Sequence, residues 1–242
     1  MTTGPFLKRH LTLLLATLRD GLALFRLAPL IPLIAIIPEF LQHIAEIKLG
    51  MFASRAAFAA LAMDPVRWGW GYLKIAGLVL GLLAAARFWG AREQGERWWD
   101  LRKLPWGMVL AAIALNVIAG LPMLLLDGRI DARALQALNV VVTIATLPLL
   151  VYLVAALLGD RTMTLALVYR SGWWAALRIA LLVAISFVPL QLLHGFDHRL
   201  AFGQPPMLVW LLMAWDALVV GAMAALMGTA LHHGYRGASD PA

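Results

Sequence analysis

Apolar residues run along this chain in long blocks, broken by short stretches that carry Lys, Arg, Asp and Glu. A helix needs about 20 mostly apolar residues to cross a hydrocarbon layer. Six segments qualify: 22–44, 70–89, 106–126, 137–158, 173–194 and 207–231. The pattern predicts an all-α polytopic transmembrane bundle, a single membrane domain over 1–242. The first span is irregular, because Arg26, Pro29, Pro32, Pro38 and Glu39 fall inside it. Proline is tolerated in a membrane helix where neighbours re-satisfy the freed carbonyls, so a kinked or re-entrant segment is expected there. Ahead of it, Leu7, Leu11, Leu14, Leu15, Leu18 and Leu22 keep a helical stripe, with Lys8, Arg9, Thr12 and Arg19 on the other face. That spacing predicts an amphipathic interfacial helix over 6–20. It is expected to be retained, since Arg19–Asp20 stands where a cleavable signal would carry small residues.

Composition agrees with the pattern. Hydrophobic residues make up 62% and charged residues 14%, against roughly 45–50% and 25% in soluble domains; the mean hydropathy is +0.83. The absence of cysteine excludes disulfides, thiolate metal sites and thiol catalysis. A net charge of +7 raises nucleic acid as a partner, but Lys and Arg sit in short loops with no basic stripe, so none is expected. The loops instead orient the chain. Arg87, Arg92, Arg97, Arg102 and Lys103 crowd one connection, which predicts that this side, and with six spans both termini, is cytoplasmic. Most tryptophans, Trp68, Trp89, Trp98, Trp106 and Trp173 among them, fall near span ends, where an amphipathic indole prefers the headgroup layer. Gly77-x-x-x-Gly81, and Gly221 with Ala224, Ala225 and Gly228, suit close helix packing within the bundle.

The stretch from Gly159 through Asp160, Arg161 and Trp173-Trp174 to Arg178 reads as a short amphipathic cytoplasmic segment that runs into an outward helix. Here the layout resembles the six-helix bacterial inner-membrane proteins of the YciC-like type. It is also similar to the membrane region fused to some glycerophosphodiester phosphodiesterases. The resemblance implies a bacterial inner-membrane location. The phosphodiesterase catalytic domain has no counterpart in the chain, so the resemblance carries over no activity.

Two groups of residues are candidates for chemistry. Asp216 lies about 14 Å into span six, near the midplane, with Asn116 in span three and Thr143 and Thr146 in span four at similar depth. A carboxylate there must face protein or water. It serves either as a proton or ion relay or as a neutral acid bonded to Asn116, in which case asparagine would be tolerated. The second group is Glu39, His43 and Glu46, on one helix face, with His194, Asp197 and His198 after the outer half of span five. These residues suit Zn²⁺, Mn²⁺ or iron, although no HExxH motif is present, and they suit equally a polar rim wetted from outside. His232-His233 reads as interfacial solvation.

Three functions follow. The first is a non-enzymatic protein, an envelope or assembly factor working through membrane lipids and a protein partner, with no cofactor and no catalytic residues. The second is a small transporter or proton-coupled carrier using Asp216. The third is an outward-facing metal-dependent enzyme on the Glu39/His43/Glu46 and His194/Asp197/His198 groups.

Overall fold

The computed structural model describes residues 3–237, and side chains from residue 8 onward. It is all-helical among those residues. The helices are α1 (Thr3–Leu27), α2 (Leu30–Lys48), α3 (Arg55–Ala60), α4 (Pro65–Glu93), α5 (Trp106–Leu126), α6 (Ala132–Leu158), α7 (Leu165–Ser171), α8 (Trp173–Ala201) and α9 (Pro206–Arg236). Six of them, α2, α4, α5, α6, α8 and α9, are long and apolar enough to cross a membrane. The chain is a multi-pass membrane protein.

The expected first span, 22–44, is divided. Helix α1 continues to Leu27, the chain turns at Ala28 and Pro29, and α2 starts at Leu30. Pro29 lacks an N–H and pushes the residue before it out of helical geometry. Pro32 falls in the first turn of α2, where the missing donor has no partner to lose. Part of the leucine stripe of α1 faces away from the protein, with Leu14 and Leu18 half-buried. Leu11, Leu15 and Leu22 are more than half exposed, whereas Leu13, Thr17 and Leu24 are buried; the side chain of Leu7 lies outside the described residues. Leu13 packs on Leu182 and Ala230 with Leu14 beside them, so α1 buries the side of Leu13, Thr17 and Leu24 against the bundle and turns Leu11, Leu15 and Leu22 outward.

The chain forms two compact units, one of residues up to Ala85 with Leu182–Ala230, the other of Ala86–Leu181 with the residues from Leu231 on. In the second unit α5 and α6 form a hairpin. Only 11% of the apolar window of α5 is buried, as suits a lipid-facing helix. Buried Arg87 reaches Glu96 Oε2 at 3.0 Å. The Tyr235 hydroxyl donates to Asp160 at 2.6 Å, and His232 and Arg236 both pair with Glu93.

In the first unit, small residues set the packing. A Cβ on Gly77 would meet the Ile34 carbonyl at 2.6 Å, and one on Gly221 would meet the Ile36 side chain at 2.4 Å. Gly81 opposes Ala224, and Gly228 opposes Leu82 and Ala85, so α4 and α9 run parallel and α2 lies antiparallel to both. The small-residue motifs therefore pack the bundle, as their spacing suggested. At Gly228 the obstacle is backbone, the Leu82 carbonyl oxygen at 2.2 Å. Gly228→Ala is expected to cost about 1–3 kcal/mol by forcing the helices apart. Gly120→Ala, with nothing near its Cβ, is expected to be neutral or to stabilise by up to about 1 kcal/mol. Thermal unfolding of both variants in one detergent checks the contrast.

Candidate metal centre

The site begins on α2. Glu39, His43 and Glu46 share one face at i, i+4 and i+7, and they are 0%, 0% and 1% exposed. Helix α4 meets that face with Arg67, Gly71 and Lys74, which have the same spacing in the opposite direction. Lys74 Nζ lies 2.8 Å from Glu39 Oε1, and Arg67 Nε donates to Glu46 Oε1 at 2.9 Å. Between these pairs Gly71 leaves room for Gln42, whose amide nitrogen is 3.6 Å from the place a Cβ would occupy. Each glutamate thus has one oxygen held by a cation of α4.

Two more helices complete the cluster. Helix α8 supplies His194 and His198, one turn apart, and α9 supplies Asp216, which is fully buried. His43 Nε2 lies 2.8 Å from Asp216 Oδ2, His194 Nδ1 lies 2.8 Å from both carboxylate oxygens, and His198 Nε2 is 3.4 Å from Oδ2. The other nitrogen of His43, Nδ1, is 3.0 Å from Glu46 Oε2. The ring of His198 is boxed by aromatic edges: His194 at 4.7 Å, His43 at 5.2 Å, and Phe52 and Phe58 at 5.7 Å each. Phe52 and Phe58 come from the connection between α2 and α4, and they join Phe202, Val209 and Met213 in an apolar cap.

Several atoms in this buried cluster have no hydrogen-bond partner: Glu39 Oε2, Asp197 Oδ2 and His198 Nε2. Burying polar groups without partners is costly, so the unmet oxygen of Glu39, in a cluster of donors that could hold an ion, calls for a ligand. Two donor groups are present. Glu39, His194, His198 and Asp216 bring ligand atoms within 4.8 Å of one another, and so do His43, Glu46 and His198. Imidazole and carboxylate donors in that mixture fit Zn²⁺, Mn²⁺ or iron. Asp197 is buried as well but belongs to neither group.

Several expectations change. Asp216 does not bond to Asn116, whose amide donates to Ala112 O of its own helix at 2.8 Å. Thr146 likewise bonds back to Val142 O, and Thr143 is exposed. The partners of Asp216 are imidazoles. Glu39, His43 and Glu46 do not form a wetted rim, because α8 and α9 cover them. The sequence pattern ends span five at His194, with Asp197 and His198 beyond it; α8 instead continues to Ala201, which places all three in its last turns. Arg67 and Lys74 of α4, which pair with Glu46 and Glu39, are the site residues that sequence reasoning missed. Their spacing on α4, matched to the glutamates of α2, is the signal that finds them.

Six apolar helices, with a largely buried cluster of carboxylates, imidazoles and cations among four of them, define a polytopic membrane protein with a candidate metal centre. Comparison with known protein families, curated proteins and solved structures finds no match.

Proposed function

We propose that the protein is a metal-dependent enzyme of the bacterial inner membrane, with its centre toward the outer leaflet. The observation that carries this reading is the convergence of Glu39, His194, His198 and Asp216, drawn from three helices, onto one buried point. Charge supports it. Four carboxylates, Glu39, Glu46, Asp197 and Asp216, stand against two cations, Arg67 and Lys74, so the cluster is a net acidic donor set that attracts divalent cations. A divalent ion held by protein ligands on one side keeps a position for water, and it lowers the pKa of that water so that hydroxide attacks at neutral pH. Hydrolysis is the reaction class that follows.

A carrier needs a polar path across the bundle. One helical turn further along α9 from Asp216, Val219, Val220, Met223 and Ala224 pack with Ala35 in a dry cluster filled out by Leu78 and Phe187. That layer supports a centre served from one face. The metal content of tag-free protein in a mild detergent is the test. At least one ion per chain is expected in the wild type, falling below about a tenth of that in His194→Ala. No metal in the wild type, even after incubation with Zn²⁺ or Mn²⁺, would sink the proposal.

The orientation, with both termini cytoplasmic, rests on the five basic residues between Arg87 and Lys103 and agrees with the resemblance to six-helix inner-membrane proteins. The chain has no cysteine, so single Arg97→Cys and Arg133→Cys variants report one site each. An impermeant thiol reagent added to intact cells is expected to label only the cysteine at 133. Labelling at 97 alone would reverse the topology.

A further inference from the structure

We infer that the centre is built for two ions rather than one. This inference rests on the metal reading above and adds a second subsite to it. Glu39, His194 and Asp216 serve one ion, and His43, Glu46 and His198 serve the other. His198 belongs by distance to both donor groups, and a neutral imidazole gives one lone pair to one metal. The group of four keeps three donors without it, whereas the group of three depends on it. Each ion then has three protein ligands and open positions for water, the arrangement of catalytic rather than structural sites.

The glutamates support the division. Glu39 and Glu46 stand seven residues apart on α2, and each is anchored through Oε1 by a cation seven residues apart on α4. The second oxygen of each points into the cluster, that of Glu46 toward His43 Nδ1 and that of Glu39 with no hydrogen-bond partner. Glu46 Oε2 lies 3.0 Å from His43 Nδ1, near the separation of two donors on one ion when bonds are about 2.0–2.2 Å. Glu39 Oε2 is buried with no hydrogen-bond partner. A second ion gives both anchored carboxylates the same task, with Lys74 and Arg67 as the outer groups that orient them.

Asp216 stands at the boundary. Its Oδ2 is 2.8 Å from His194 Nδ1, in one set, and 2.8 Å from His43 Nε2, in the other. Asp216 would thus be the carboxylate within reach of both subsites, the role a shared ligand would have in a two-metal centre with ions about 3.5–4 Å apart. If His43 binds its ion through Nδ1, the hydrogen on Nε2 is directed at Asp216 and couples the two subsites.

Manganese is the probe. The full chain in detergent, stripped with chelator and titrated with Mn²⁺, is expected to bind two ions per chain. Its electron paramagnetic resonance spectrum is expected to show exchange coupling between neighbouring ions. One ion per chain with an uncoupled six-line signal overturns the second subsite and leaves the first intact. No binding above a detergent blank removes the metal reading and this inference with it. Glu46→Gln and His43→Ala are expected to halve the stoichiometry and abolish the coupling in protein that keeps its thermal transition. Two coupled ions in both variants would overturn the assignment of those residues. If neither variant folds, the wild-type spectrum decides.

Discussion

Asp216→Leu is expected to empty the centre and to lower stability by at least about 3 kcal/mol. Leucine takes from His194 Nδ1 its acceptor and leaves His43 Nε2 only Glu39 Oε1 at 3.2 Å, and each buried polar group so orphaned costs about 1–3 kcal/mol. Asp216→Asn is the more informative change. Asparagine replaces one oxygen by an amide NH₂, and both oxygens of Asp216 face imidazole nitrogens, so a donor is set against a donor. Asparagine is therefore expected to destabilise nearly as much as leucine, with Asp216→Glu retaining part of the stability. Thermal unfolding of the three variants in one detergent checks the order. Asparagine at wild-type stability would mean that the carboxylate is a neutral hydrogen-bond donor, as a lone acid in a dry span would be.

The second large effect is expected at Lys74. Its ammonium is the cation next to Glu39, a fully buried carboxylate. Removing one partner of a buried ion pair costs about 3–5 kcal/mol, because the other charge stays buried. Lys74→Met is expected to fall in that range, and Glu39→Gln combined with Lys74→Met to recover most of it by neutralising both partners. The recovery is expected in stability alone. Metal content stays low in the double variant, since glutamine is a poor ligand. A double variant that regained both would show that Glu39 holds no ion. One no more stable than Lys74→Met would show that the pair is not the source of the loss.

Much of the fold is legible in the sequence, because a membrane leaves few choices. The lengths of the apolar blocks fix six helices, and α5 begins and ends where its block does. The misplacements have local causes. Pro29 ends a helix inside what reads as one apolar run, and α8 continues past Leu193 although His194, Asp197 and His198 interrupt its hydropathy. Those polar residues look like a boundary only while their partners are unknown. The site was legible in pieces: the face of Glu39, His43 and Glu46, the pair His194 and His198, and Asp216 each stand out as polar residues in apolar surroundings. Their convergence was not, because helix order in a bundle is set by contacts between segments far apart in the chain. Here Gly77, Gly81, Gly221 and Gly228 bring α2, α4 and α9 together, and that closeness lets Asp216 reach His43. Only the i, i+4, i+7 match between α2 and α4 hinted at a pairing.

X-ray absorption at the zinc edge, on tag-free protein loaded with Zn²⁺ and freed of excess ion, tests the central claim most directly. The expected spectrum has nitrogen and oxygen neighbours at about 2.0–2.2 Å, with the outer-shell scattering of imidazole and a reduced imidazole contribution in His194→Ala. Zinc lost on desalting, or retained with an oxygen-only shell that His194→Ala leaves unchanged, would contradict a metal centre at these residues.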